Sequence, residues 1–405
     1  MHFDNGFCIV SLMYILSIET SCDETALSLV KTEGSFPHAS YDILGNELWS
    51  QIDIHKEYGG VFPALAKREH ATTIVPLLKK IIKESEDFGP AVISEISPQT
   101  KQAVEKILER EPSLAEQLFA FHDEYGAQTI DLITVTNGPG LEPALWVGVN
   151  FAKALSLLWD VPVVPVNHME GHILASIFDA ERDNQLSDIS FPAISLLISG
   201  GHTELILMNN WGNYEKIGQT RDDAVGEAFD KVARMIGLPY PGGPEISRLA
   251  SEARKRNLPE YVKLPIPMLH SGDLDFSFSG LKTAVRYAIQ EKSLTDDEKA
   301  SLARDFEDAV TTVLLKKTSD AVEAHGAKTL IVGGGVSNSK YIKTTFDSNF
   351  LTKHPDVTVY FPKPGLSTDN SIMIALAGHA HASSALLPTG TDVIRAEGNK
   401  SLTER

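Results

Sequence analysis

Short apolar runs bounded by polar or Gly-rich turns alternate along this chain with longer stretches in which apolar residues recur every three to four positions. The first period predicts strands and the second helices. Runs at 14–18 and 26–31 predict a strand, a polar turn and a returning strand, and 48–54 predicts another strand. Over 62–84, Leu65, Ile74, Leu77, Leu78 and Ile81 keep helical spacing. The charged stretch 85–128 carries one helical pattern over 100–122 and reads as a helical insertion, solvated or partner-facing. A strand at 131–136, a helix at about 144–159 and a strand at 161–166 follow.

A similar order returns further on. Residues 191–198 predict a strand, Ser199-Gly200-Gly201-His202-Thr203 a turn, and 204–208 a returning strand. This second unit lies about 180 residues after the first, which predicts a duplicated α/β domain with a cleft between its halves. Helices are expected at 222–237, 281–290, 297–324, 336–349 and 369–381, with strands at 329–332 and 357–361. A Gly/Pro turn is expected at 239–244, and 273–282 is strand-like before opening a helix. The chain divides on this reading into an N-terminal lobe at 13–186, a C-terminal lobe at 187–382 whose last helix packs back on the first lobe, and a tail from 383 to 405. The Gly/Thr/Glu-rich tail is expected to be partly disordered.

Composition narrows the function classes. The 405 residues are 42% hydrophobic and 22% charged, enough for two packed domains. A net charge of -18 argues against a broad basic surface that grips nucleic acid, so any such role needs a local patch or a partner. Cys8 and Cys22 are the only cysteines, which fits a reducing compartment and excludes a disulfide framework or a cysteine-rich zinc module. No apolar run approaches the roughly 20 residues of a membrane span. The apolar stretch 7–18 lacks the basic flank of a signal peptide, and Met13 immediately before a strand suggests that residues 1–12 are an extension or a misassigned start.

Candidate chemistry centres on Val166-Asn167-His168-Met169-Glu170-Gly171-His172. Positions i and i+4 share a helix face, so His168 and His172 can offer two nitrogens to one divalent ion, with Asp369 the best third ligand. The plain alternative is ordinary histidines at a helix start. A zinc protease of the His-Glu-x-x-His kind needs Glu directly after the first His, where this chain has Met169, so that reading is weak. The turn at 19–25 is rich in hydroxyls and carboxylates suited to phosphate or metal-phosphate, or is simply a polar hairpin. Gly-rich turns at 137–140, 199–203 and 333–335 leave backbone N–H groups free for an anion, or are only tight connections.

Six ordered motifs are more specific than any one of them. Ile18-Glu19-Thr20-Ser21-Cys22-Asp23-Glu24-Thr25, His168-Met169-Glu170-Gly171-His172, Ile198-Ser199-Gly200-Gly201-His202-Thr203, Gly226-Glu227-Ala228-Phe229-Asp230-Lys231, Asp275-Phe276-Ser277-Phe278-Ser279-Gly280-Leu281-Lys282-Thr283 and Thr368-Asp369-Asn370 stand in this order. Together they make the chain resemble the bacterial tRNA threonylcarbamoyladenosine transferases, from Met13 to about His381 except for the helical insertion. The resemblance implies two ribonuclease-H-like lobes of the actin, sugar-kinase and Hsp70 ATPase fold. It implies transfer of a threonylcarbamoyl group from threonylcarbamoyl-AMP to an adenosine amine in tRNA, in the cytoplasm, with a smaller paralogous subunit and a P-loop ATPase as partners.

Carried over by motif, His168, His172 and Asp369 match the metal ligands, with Fe2+ favoured by the resemblance and Zn2+ compatible with the same donors. Leu197, Ile198, Ser199, Gly200, Gly201, Asp230, Gly243 and Ser339 match substrate-binding positions, and no residue is assigned as catalytic. Two departures stand out: Ser339 where relatives commonly carry Asn, with Asn338 one place earlier, and Glu142-Pro143 where they tend to carry small or apolar residues. A divergent sugar-kinase-like ATPase and a metal-binding scaffold remain as alternatives.

Overall fold

The computed structural model describes residues 12–91, 93–290 and 292–403. Residues 1–11, on which the expectation of an N-terminal extension rests, lie outside them, as does Cys8.

The first unit begins with β1 (Leu12–Glu19), β2 (Glu24–Glu33) and β3 (Ser40–Ser50), three antiparallel strands with Ser17 opposite Ser28. The run expected as a strand to residue 54 instead leaves the sheet at Ser50 and forms the short helix α1 (Ile52–Lys56). The reason is local: the Gln51 N–H donates to the Asp23 carbonyl, and its side chain is held by His55 and His70, which draws the chain off the edge. α2 (Pro63–Glu84) starts on Pro63, whose missing N–H costs nothing in the first turn, and buries Ile74, Leu78 and Ile81. The insertion holds two helices rather than one, α3 (Pro98–Ile107) and α4 (Pro112–Tyr125). Pro112 cannot continue a helix from the preceding turn, so it starts a new one. Nor is the insertion merely solvated, because Val104, Leu108, Leu118 and Phe121 are fully buried in the core beneath α2 and the next helix.

β4 (Leu132–Gly138), α5 (Glu142–Trp159), β5 (Val163–Asn167) and α6 (His168–Ile177) follow, with β4 parallel to both β1 and β5. The two-residue strands β6 (Phe178–Asp179) and β7 (Gln185–Leu186) close the far edge, giving a seven-stranded sheet in the order β5-β4-β1-β2-β3-β7-β6.

The second unit repeats the plan. β8 (Ala193–Ile198), β9 (Thr203–Asn210) and β10 (Asn213–Gln219) are antiparallel. α7 (Val225–Met235), α8 (Gly242–Lys255), α9 (Ser279–Ala288) and α10 (Asp296–His325) then lead to β11 (Thr329–Gly333), α11 (Lys340–Lys353) and β12 (Thr358–Tyr360). The sheet order β10-β9-β8-β11-β12 has the same antiparallel and parallel pattern as β3-β2-β1-β4-β5, so the duplication seen loosely in sequence is present strand by strand.

Several expectations here need correction. The turn expected at 239–244 already opens α8 at Gly242. The strand-like 273–282 pairs only through a bridge between Phe276 and Thr220. The helix expected at 336–349 is a 3-10 turn, Gly335–Asn338, followed by α11, with Ser339 as its N-cap.

The last helix, α12 (Ser371–Ala380), lies against the first sheet, where Ser28 Oγ donates to Ser371 Oγ at 2.8 Å and Tyr41 Oη meets His379 Nδ1 at 3.0 Å. α6 and α12 form a central layer. Ile15, Val30 and Val164 reach it from the first sheet and Leu197, Ile206 and Ile331 from the second. Among the described residues, 383–403 of the tail pack against the first unit. Ile394 is buried, its carbonyl accepts from Lys153 Nζ at 2.8 Å, and Leu386 pairs with Val163 at the β5 edge.

Candidate functional site

The end of β5 delivers α6 into the central layer. Asn167 caps the helix by accepting the Met169 N–H at 2.9 Å, which sets His168 in the first turn and His172 one turn later on the same face. Asp369 comes from the turn before α12, where Asn370 is the cap and accepts the Met373 N–H at 3.0 Å. Asp369, expected as the first residue of a helix at 369–381, instead lies just before the cap of α12, so its carboxylate is free of helical geometry. His168 Nε2 and His172 Nε2 lie 3.3 and 3.2 Å from Asp369 Oδ1, and the donor atoms of all three residues fall within 4.8 Å of one another.

A carboxylate behind the imidazole holds this arrangement. Glu19, fully buried at the end of β1, lies with Oε2 3.2 Å from His168 Nδ1 and accepts from the Ser21 N–H and from Thr136 Oγ1. A carboxylate only accepts, so the proton belongs on Nδ1 and Nε2 faces Asp369. His172 is buried, with neither ring nitrogen in a hydrogen bond despite the nearby Asp369 oxygen. Two nitrogens and an oxygen that converge without bonding one another properly fit a group of three ligands around one divalent cation.

The electrostatics agree. Burial opposes charge on Asp369, yet the two imidazoles outweigh it and hold the carboxyl below its usual range. Burial also lowers both histidines, but Asp369 and Glu19 prevail at His168 and raise it well above normal, while His172 stays depressed. Protonation of His168 is thus favoured between Glu19, which is buried, and Asp369, which is partly exposed at the cleft. A bound cation would take that proton's place.

His168 and Asp369 open on a cleft of about 1470 Å³ between the two sheets. Ser199, Gly200 and Gly201 line it in the β8–β9 turn, which is tied to α7 by the Gly226 N–H donating to Ser199 O. A Cβ at Gly200 or Gly201 would meet no protein atom, so their bare backbone leaves room for a ligand rather than for packing. Leu197 and Ile198 do not reach the cleft; both are fully buried core residues of β8 and contribute only by placing the turn. Asp230 and Gly243 line the α7–α8 side. Asp230 Oδ1 accepts the Gly242 N–H at 2.6 Å, and burial raises its carboxyl although the Gly242 and Gly243 amides pull the other way.

Ser339 also lines the cleft, but its hydroxyl caps α11 and donates to the buried Glu307 at 3.4 Å. Asn338, exposed beside it, faces the same cleft. Glu142 starts α5 and takes the Trp146 indole N–H at 3.4 Å, outside the cleft lining, so that departure leaves the ligand cluster untouched.

Sequence reasoning missed two carboxylates. Glu19 was legible only as part of a polar turn. Glu307, in the middle of α10, had no signal at all, yet it gathers Ser247 Oγ at 2.7 Å and Arg254 Nη1 at 2.5 Å at the cleft wall. Cys22 lines the cleft too, but burial and the nearby Asp23 push its thiol well up, away from thiolate chemistry.

A family model described as tRNA N6-adenosine threonylcarbamoyltransferase matches residues 42–97 and 100–376. Among curated proteins, the tRNA N6-adenosine threonylcarbamoyltransferases of Burkholderia mallei and Paraburkholderia xenovorans are each 41% identical over 90% of this chain and 91% of their own length. That of Ralstonia pickettii is 39% identical over 90% of both. Among solved structures, full-length HypF in the phosphate- and nucleotide-bound form superposes with a TM-score of 0.51 at 14% identity, over 92% of this chain. HypF of T. kodakarensis gives 0.50 at 13% identity, over 93%. The chain spans about half the length of these two, 47% and 48%. Their likeness bears on the fold alone, a two-lobed α/β architecture.

Proposed function

The chain belongs to the family of tRNA N6-adenosine threonylcarbamoyltransferases, and from that premise we propose that it moves a threonylcarbamoyl group from threonylcarbamoyl-AMP to the exocyclic amine of the adenosine beside the anticodon, in tRNAs that read codons beginning with A. The amine forms the new C–N bond to the carbamoyl carbon, the C–O bond of the mixed anhydride breaks, and AMP leaves with that electron pair while the amine gives up one proton.

His168, His172 and Asp369 would hold one divalent ion, Fe2+ by family resemblance and Zn2+ by compatibility of the donors. When bound, such an ion polarises carbamoyl or phosphate oxygens. The remaining work falls to the chain itself. Glu19 keeps the His168 ring turned. The Gly200 and Gly201 N–H groups receive negative charge that develops on the transferred group, and Asp230 takes the ribose hydroxyls of the adenylate beside Gly243. Leu197 and Ile198 act through their strand. Ser339 caps α11 at the cleft, and Asn338, exposed beside it, takes the substrate contact in its stead. We divide the chain at 186/187 into the two lobes that face each other across this cleft.

The observation that carries the proposal is the family match across both lobes, 41% identity over 90% of the chain. Proteolysis finds no support, because Glu170, the carboxylate within the His-x-x-x-His segment, is occupied by the Tyr214 hydroxyl at 2.7 Å and His381 Nε2 at 2.8 Å. Among the described residues no helix is long and apolar enough to cross a membrane. By family resemblance the chain works in the cytoplasm with a smaller paralogous subunit and a P-loop ATPase. The deciding experiment is mass spectrometry of nucleosides from unmodified tRNA incubated with threonylcarbamoyl-AMP, the chain and its partner subunits. The modified adenosine is expected with the wild type and not with His168→Ala. Its absence from the wild-type reaction, with the partners bound, would overturn the reading.

A further inference from the structure

The loop between α1 and α2 carries two aromatic rings that the fold does not use. Tyr58 and Phe62 stack on each other, centroids 5.9 Å apart and planes 20° from parallel, yet they remain 61% and 52% exposed. Gly59, Gly60 and Val61, between them in sequence, line the cleft. From the opposite unit, Arg234 of α7 donates Nη2 to the Gly59 carbonyl, which holds its guanidinium across the cleft mouth beside the rings.

The charge there is unusual for this chain. Lys231 is paired with Asp223 and Glu227, and Arg254 with Glu307 and Asp308. By contrast, among the described residues no carboxylate lies within ion-pair distance of Arg234, nor of Lys340, which also lines the cleft. Arg234 acts on the Asp230 carboxyl of its own helix without forming an ion pair with it, and in a chain of net charge -18 a guanidinium held at Gly59, next in sequence to the exposed ring of Tyr58, is a local exception. Rings that offer a face and cations that offer a counter-charge are what unpaired nucleotides need: bases stack on the first and phosphates approach the second.

We propose that Tyr58 and Phe62, with Arg234, form a stacking platform for the unpaired nucleotides that flank the target adenosine, holding the RNA loop splayed while that base enters the cleft. This rests on tRNA being the substrate, as proposed above. The rings stack on the bases next to the target and take no part in binding the adenylate, whose proposed contacts are Asp230 and Gly243 on the α7–α8 side.

The test uses the chain assembled with its partner subunits and carrying Tyr58→Ala or Phe62→Ala, alongside the ring-conserving Tyr58→Phe and Phe62→Tyr. Three quantities are measured: affinity for a fluorescently labelled, unmodified anticodon stem-loop, the KM values for tRNA and for threonylcarbamoyl-AMP taken separately, and co-elution of the subunits. Each alanine variant is expected to weaken stem-loop binding and raise the tRNA KM roughly tenfold, as loss of one stacked base does, with the donor KM unchanged and the ring-conserving variants near wild type. Unchanged stem-loop affinity overturns the platform, as does an equal rise in the donor KM. Loss of subunit co-elution also overturns it and assigns the rings to a protein interface. A wild-type complex that makes no modified nucleoside removes the functional reading instead, and the stem-loop affinities still decide the platform.

Discussion

Glu19 Oε2 lies 3.2 Å from His168 Nδ1, although the residues are 149 positions apart and belong to different strand ends. The contact fixes the ring that presents Nε2 to Asp369. Removing the charge of Glu19 while keeping its shape, by Glu19→Gln, should therefore lower divalent-metal affinity about 10- to 100-fold, as loss of an outer partner of a ligating histidine does. Titration with Zn2+ under competition from a chelator measures this directly. An affinity equal to wild type would show that the carboxylate does not support the site.

Glu170 joins α6 to β10 and the end of α12 through Tyr214 and His381. Tyr214→Phe should lower stability by about 1 kcal/mol, the scale of one buried hydrogen bond, and leave metal content unchanged. Denaturant unfolding and metal analysis of the same sample check both halves of the statement. A loss of metal with no loss of stability would instead make Glu170 part of the ligand cluster.

The tail is held to the end of β4. The Asn137 side chain donates to the Arg395 carbonyl at 3.1 Å, the Glu397 N–H donates to the Asn137 carbonyl at 2.8 Å, and Lys400 Nζ donates to Asn137 Oδ1 at 3.1 Å. At Gly138, φ is +156° and a Cβ would sit 2.2 Å from the Glu397 carbonyl oxygen. Gly138→Ala should cost about 1–3 kcal/mol and speed hydrogen exchange at residues 394–401. Unchanged protection there would mean that the loop yields rather than the tail.

His70 gives a pH signature. Buried between Thr25, Gln51 and the Cys22 carbonyl, it is lowered by desolvation from the usual 6.5 to about 4. Between those values the unfolded chain binds a proton that the folded chain does not, so the contribution of His70 is complete above about pH 6.5 and is lost as pH falls toward 4. At about 1.4 kcal/mol per pKa unit the loss is roughly 3 kcal/mol. Urea unfolding at pH 7 and at pH 4.5 should show a smaller difference for His70→Gln than for wild type. Equal differences would place the pH dependence elsewhere.

The strand-turn-strand openings of both units, the long helices α2, α5 and α10 and the pair His168 and His172 could all be read along the chain. Their signals are local: a period of two or of 3.6, a Gly-rich turn, two imidazoles at i and i+4. Even the duplication was visible, because each copy writes the same local pattern. The charged composition of 85–128 misled, since the few apolar positions of α3 and α4 are the ones that reach the core. The tail misled for a similar reason: Gly and Thr are poor formers of regular structure, but hydrogen bonds to Asn137 and Lys153 tie it down beside the short 3-10 turn Pro388–Val393.

Only the tertiary structure decided how the site is completed. Asp369, 197 residues after His172, was named from its motif, but its distance to the imidazoles was not; Glu19 lies in the first strand, and Glu307 occupies the middle of an ordinary helix. No spacing rule connects such positions, because their meeting depends on α6 and α12 packing together as a central layer between two sheets. The same holds for Arg234 and the Gly59 carbonyl across the cleft mouth. The residue types and their local order along the chain determined which chemistry was available. The packing of the two units determined which of those groups face one another.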